Sequence, residues 1–211
     1  MIATAGLSGA MRHASEFLPA VQQLLHRQGW AADSITHVFV SVGPGSFTGL
    51  RIGVTAARTL GWSIGARIVA VPTLDALAQN ALSVEPPPPN VAVVLDAKKG
   101  QVYAAAYRLE GAAYRRIHGP VLAPPAEFLA GCPQDVCVLG EGVDYHRPAL
   151  EAAGVTLLDP AIYPARAENV FAVGLELAQA GQFTAPGDLI PLYIRRAEAE
   201  EKWEARQAAS R

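Results

Sequence analysis

The 211-residue chain is 51% hydrophobic and 17% charged, with a formal net charge of −2, the composition of an ordinary globular protein. It contains no run near the ~20 apolar residues of a membrane span, and no cationic leader precedes an apolar stretch in Met1–Arg12. Two cysteines, Cys132 and Cys137, make no disulfide framework. The expected setting is therefore the cytoplasm, with both thiols reduced.

In chain order, residues 14–28 read as an amphipathic helix, with Phe17, Leu18, Val21, Leu24 and Leu25 on one face. Ser15 is its expected N-cap, Pro19 is expected near its first turn and Gly29 is its stop. His37–Val42 is β-branched and apolar, hence a strand, and Gly43-Pro44-Gly45 breaks it. A helix capped by Ser46 or Thr48 is predicted over 48–64. A short buried strand follows at Ile68–Val71. Thr73 then caps a helix that places Leu74, Leu77, Ala78 and Ala81 on one face. Four prolines, Pro86–Pro89, form a stiff extended link and divide the chain.

The second part opens with a hairpin, Val91–Leu95 and Gln101–Arg108 around the turn Asp96–Gly100, with a third strand at Tyr114–Ile117. A short helix at Pro125–Ala130 and a strand at Val136–Leu139 follow, the strand stopped by Gly140-Glu141-Gly142. A helix is predicted over 144–153, a strand over 155–158 and a helix over 167–180 that Gly181 ends. Pro191–Ile194 reads as extended and 196–208 as a charged terminal helix. Strands alternating with helices argue α/β layers with a partly parallel sheet.

The most informative stretch is Gly43-Pro44-Gly45-Ser46-Phe47-Thr48-Gly49-Leu50-Arg51-Ile52-Gly53. A strand, a glycine turn and a helix start is the geometry that holds phosphate. However, the segment has no lysine for a P-loop, and its third glycine falls one residue late for a dinucleotide fingerprint. In the helix that follows, Gly49, Gly53, Ala57, Gly61 and Gly65 recur every four residues as a ridge almost without side chains. Gly53 and Gly61 together cost about 2 kcal/mol of helix propensity, so a close backbone approach should offset them. That approach is either by the chain's own sheet or helices, or by another subunit.

Catalytic constellations are absent from the pattern. No two of His13, His26, His37, His118 and His146 are four apart, and there is no G-x-S-x-G elbow. Asp96, ending an apolar strand, reads first as a hairpin-turn residue and second as a metal ligand or base. The densest basic cluster, Arg195, Arg196, Lys202 and Arg206, is interleaved with glutamates and reads as a solvated helix face.

With these motifs in place, the sequence resembles the TsaB (formerly YeaZ) family. The glycine-rich segment is its hallmark, and four further stretches match in order: Arg12–Pro19, Val71–Leu74, Leu95–Tyr103 and Pro191–Arg195. The resemblance implies an α/β protein of the ASKHA (actin and sugar-kinase) two-lobe fold. The N-terminal lobe would span 1–85 and the proline link 86–90. The C-terminal lobe, 91–211, would include a terminal helix. It also implies a non-catalytic subunit beside a paralogue, TsaD, that transfers threonylcarbamoyl to adenosine 37 of tRNA. TsaE would join through TsaD, tRNA would be met only indirectly, and a homodimer would form without TsaD. The implied interface takes in His13, Glu16, Phe17, Val21, Gly49, Gly53, Ala57 and Gly61, so the resemblance favours the docking reading of the ridge. No cofactor or metal is implied for this chain, although a nucleotide at the partner contact is compatible with it. Family chains open further upstream with a strand ending in Asp-Thr-Ser and a hairpin, so the N-terminal sheet is expected to lack its first two strands. The competing readings are a kinase-like ATP-using enzyme, a glycoprotease-type peptidase and a stand-alone tRNA binder. The missing motifs count against the first two, and the near-neutral charge against the third.

Overall fold

The computed structural model describes residues 3–7 and 13–192, with side chains from Ser15 onward in the first helix. The side chain of His13, residues 193 and 194 of the 191–194 segment and the expected helix at 196–208 lie outside the described residues. The chain forms two compact units. Of the described residues, those up to Asn80 together with Ala165–Pro191 form one, and Ala81–Pro164 with Leu192 the other. The division thus falls ahead of the proline run, and the helix near residue 170 belongs to the first unit, not to the C-terminal lobe expected from the sequence. Among the described residues, no helix is long and apolar enough to cross a membrane.

The first unit opens with α1 (His13–Gln28). Gly29, at φ +65, ends it. The N–H groups of Gly29 and Trp30 donate back to the carbonyls of His26 and Leu25, which closes the last turn. Ser15 lies inside α1, not at its cap, and Pro19 sits in the second turn, not the first.

β1 (His37–Gly43) and β2 (Arg67–Pro72) pair in parallel, joined by α2 (Phe47–Ile64). Strand alternation sends successive residues to opposite faces. Val40, Val42 and Ile68 meet Val54 and Ala57 of α2 on one face. On the other, Phe39, Val69 and Val71 meet Ala76 of α3 (Thr73–Ala78) and Val170, Val173 and Leu177 of α6 (Ala167–Gln179). Gly174 lets α6 lie close, because a Cβ there would come within 2.5 Å of the Phe39 ring. After α6, the Thr184 N–H donates to the Ile68 carbonyl at 2.9 Å. Among the described residues no strand pairs with the other edge of β1.

The second unit holds a five-stranded sheet. β3 (Asn90–Asp96), β4 (Val102–Glu110) and β5 (Ala113–Ala123) form an antiparallel meander. β6 (Cys137–Leu139) and β7 (Thr156–Leu157) extend it in parallel beside β3. Val91–Val94 are buried on both faces of the sheet. α4 (Pro125–Ala130) and α5 (Gly142–Ala152) complete the unit. The proline run is tied down through its carbonyls: Pro88 accepts from the Tyr114 hydroxyl at 2.7 Å and Pro89 from the Leu109 N–H at 2.9 Å.

Candidate partner-docking face

The glycine loop after β1 is held by hydroxyl groups. The Ser46 side chain caps α2 by accepting from the Gly49 N–H at 3.3 Å. Thr73 does not cap its own helix. Its Oγ1 accepts from the Gly43 N–H at 3.0 Å and pairs with Ser41 Oγ at 2.7 Å. The start of α3 is thereby pinned to the end of β1, and α2 leaves the sheet in a fixed direction.

That direction decides which side of α2 carries the small residues. Ala57 is 1% exposed and Gly61 is buried. A Cβ on Gly61 would lie 2.7 Å from Pro186 Cγ and 2.8 Å from Ile68 Cδ1, and one on Gly53 would lie 3.6 Å from Val40 Cγ2. Gly49 sits over its own cap residue, Ser46, and Gly65, at φ +71, ends the helix. Gly61 therefore packs on the chain's own sheet and loop and Ala57 is buried, whereas Gly49 and Gly53 are half-buried and Gly65 is exposed with nothing near it. At Gly61 the close approach that offsets poor helix propensity is made inside the unit, by Ile68 and Pro186.

The opposite side of α2 carries Arg51, Thr55, Thr59 and Trp62, all exposed, with Ile52 and Ala56 half-buried. α1 packs beside it and leaves a groove of about 390 Å³. Phe17, Leu18 and Val21 of α1 and Ile52, Ala56 and Leu60 of α2 line the groove with apolar surface. Leu18 is 61% exposed and Trp62 is 62% exposed. Of the interface residues the sequence proposed, Phe17 and Val21 reach this groove. Glu16 is half-buried on the same helix and helps to line a separate, shallower hollow with Pro19 and Gln23. Arg51 and Thr55 were missed as groove residues, although their i, i+4 spacing places them away from the glycines; Leu60, on the helix edge near Gly53, was missed as well. A second hollow of about 370 Å³ runs under α2 along β1, between Phe17, Val38 and Val40 and the small residues Gly49, Gly53 and Ala57.

In the second unit, Asp96 is a fastener. Its carboxylate meets the Lys98 Nζ at 2.6 Å and accepts from the Lys98 N–H at 3.1 Å and from His146 Nε2 at 3.0 Å. Burial of this side chain, 6% exposed, pushes its pKa up, but the bonds from Lys98 and His146 outweigh that and hold the carboxyl below its ordinary value. His146, fifty positions away, was not foreseen as its partner. Among the described residues no group of three or more His, Cys, Asp or Glu is placed to hold a metal.

A mixed α/β protein of two units, with an apolar helix pair exposed on one of them, has clear relatives. The family model described as TsaD, tRNA N6-adenosine threonylcarbamoyltransferase, matches residues 8–203. The tRNA threonylcarbamoyladenosine biosynthesis protein TsaB of Bacillus subtilis is 32% identical over 90% of this chain and 83% of its own length. The TsaB of Escherichia coli is 27% identical over 87% of this chain and 80% of its own. YeaZ from Pseudomonas aeruginosa superposes with a TM-score of 0.74 at 25% identity, covering 87% of this chain and 84% of that one. The chain belongs to the TsaB (YeaZ) family.

Proposed function

We propose that this chain is a non-catalytic subunit in tRNA threonylcarbamoyladenosine biosynthesis, and that it docks a catalytic TsaD through the outer face of α1 and α2. On this reading its two units are the lobes of an ASKHA fold, TsaE joins through TsaD, and tRNA is met only within the assembly. Without TsaD, a second copy of the chain takes the same face.

The observation that carries the reading is the apolar groove between α1 and α2, with Leu18 61% exposed at its rim. A fold has no use for large apolar side chains held in water, and contiguous exposed apolar surface marks an interaction site. The two helices, of 16 and 18 residues, make a plate roughly 25 Å long and 20 Å wide. That is the scale of a standard protein interface. Fully burying a leucine stabilises by about 1.5–3 kcal/mol, so Leu18 alone can shift affinity by tenfold or more.

Leu18→Asp tests the proposal. Titrated against purified TsaD, this variant should bind at least roughly tenfold more weakly and support correspondingly less threonylcarbamoyladenosine formation. Its thermal midpoint should stay within about 2 °C of the parent, because an exposed side chain contributes little to folding. Undiminished binding by a folded Leu18→Asp chain would remove this face from the proposal.

A further inference from the structure

On the side of the β1–β2 sheet away from α2, the fold holds a planar cation in a fixed position. His37 and Arg67 are register partners at the start of the two strands, and they point to the same face as Phe39 and Val69, the face that α6 covers. A fixed turn delivers Phe183 beside them. Gly181, at φ +75, ends α6, the Gln182 N–H donates back to the Leu177 carbonyl at 2.9 Å, and Thr184 bridges to Ile68. The Arg67 guanidinium carbon lies 3.3 Å from the centroid of the Phe183 ring. The His37 ring lies 6.0 Å from that ring and is stacked 6.2 Å from Phe39. A guanidinium this close to a ring can only lie flat on it, so one of its faces is covered. Arg67 is an exposed residue, and among the described residues its N–H groups have no hydrogen-bond or ion-pair partner. His37, also exposed, meets the Thr36 hydroxyl through Nδ1 at 2.9 Å, which leaves Nε2 without a partner among the described residues.

We propose that Phe183, Arg67 and His37 form a contact for an unpaired nucleotide of tRNA. The base stacks on the open face of the guanidinium, and a neighbouring phosphate accepts from its N–H edge, beside His37. The inference rests on the reading above of a subunit that meets tRNA in an assembly with TsaD. A guanidinium held flat offers two kinds of contact at once, a π face and an in-plane fork of donors. A protein carboxylate uses only the fork. An unpaired nucleotide uses both, because every base has a face to stack and every linkage carries a phosphate. One such contact is too little for a chain of net charge −2 to hold RNA alone, so it adds to contacts made elsewhere in the assembly. α2 packs on the other face of the sheet, so a nucleotide here leaves the α1–α2 face free for TsaD.

The test assembles the full chain with purified TsaD and measures tRNA affinity by fluorescence anisotropy between about 50 and 300 mM NaCl. The chains are the parent, Arg67→Lys and Arg67→Gln, each checked for thermal midpoint and for TsaD affinity, both of which should match the parent. Arg67→Lys keeps the charge and loses the plane, so tRNA binding should weaken roughly fivefold with an unchanged salt slope. Arg67→Gln loses both, so binding should weaken roughly tenfold and the slope of log affinity against log salt should become shallower by about 0.7. In the parent assembly, ultraviolet crosslinks from bound tRNA should map to the peptides that contain His37 and Phe183. Parent-like tRNA affinity in both variants, with TsaD still bound, overturns the nucleotide contact and leaves the subunit reading standing. Absence of the crosslink from both peptides of the parent overturns the contact as well, whatever the variants do. If Arg67→Gln loses TsaD affinity and the tRNA measurements do not change, Arg67 serves a protein carboxylate and the nucleotide is wrong. A parent chain that fails to assemble with TsaD overturns the subunit reading, and the contact falls with it.

Discussion

Two glycines on one helix should respond to alanine with opposite signs. Replacing a helical glycine by alanine gains about 1 kcal/mol of propensity wherever the methyl finds room. At Gly53 it does: the new Cβ sits 3.6 Å from Val40 Cγ2, an ordinary contact. At Gly61 it does not, because Pro186 Cγ at 2.7 Å belongs to a ring that cannot rotate away, and Ile68 Cδ1 at 2.8 Å must leave its place in a buried cluster. Overpacking of that kind costs about 1–3 kcal/mol. Gly53→Ala should therefore stabilise by about 1 kcal/mol and Gly61→Ala destabilise by about 1 kcal/mol. For a chain of 211 residues, each kcal/mol moves the thermal midpoint roughly 2–4 °C, so the two variants should part by about 4–8 °C. Thermal and urea unfolding read this directly. TsaD affinity should stay within about twofold of the parent for both, since neither position reaches the outer face. The reasoning fails if both variants gain stability, which would mean Gly61 is not pressed on Pro186. It also fails if Gly53→Ala keeps its stability yet loses partner binding.

Three other perturbations probe the rest of the molecule. Gly174→Ala should destabilise the first unit by about 1–3 kcal/mol in urea titration, because its Cβ would enter the Phe39 ring at 2.5 Å. Asp96 has a carboxyl held below its ordinary 3.8, so the stability it adds is complete above that value and is lost as pH falls through the folded-state value. Asp96→Asn should therefore be less stable than the parent at neutral pH, and the two unfolding midpoints should converge as the pH falls below about 4. Burial pushes the Cys132 thiol up to about 11. Labelling of it by a disulfide reagent at pH 8 should run roughly 100-fold slower than labelling of a free thiol, and an equal rate would contradict its placement.

The parts of this fold that read clearly from the sequence are those fixed by local chemistry. β1, β2 and β3 follow from Val- and Ile-rich runs bounded by glycine or proline. The stops at Gly29 and Gly181 coincide with left-handed backbone at φ +65 and +75. What the sequence left open are choices made between distant segments. Thr73 has the residue type of a helix cap, and only the approach of β1 converts its hydroxyl into a receptor for the Gly43 N–H. α6 follows the second unit's strands in the chain, and nothing in its periodicity says that Gly174 will seat on Phe39 of β1. Asp96 and His146 are fifty positions apart, a separation no spacing rule covers. Within the candidate face, Phe17 and Val21 were legible from helical periodicity. The side of α2 that faces outward was not, because a close sheet and a close partner select small residues equally well.

The orientation of α2 separates two kinds of selection on one helix. Ala57 and Gly61 are constrained by what packs on them, so larger side chains there act on folding. Thr55, Thr59 and Trp62 are exposed and touch little of the unit's own core, so changes there leave folding within a few tenths of a kcal/mol and act on whatever covers them. Sites on opposite faces of a helix with no shared partner contribute additively. Substitutions at Thr55, Thr59 or Trp62 therefore leave the sheet beneath the helix undisturbed. Had the small residues faced outward, every adjustment to a partner would also have altered a helix already weakened by its glycines. Because Ala57 and Gly61 face inward, substitutions on the outer face leave the packing of the helix on its sheet intact.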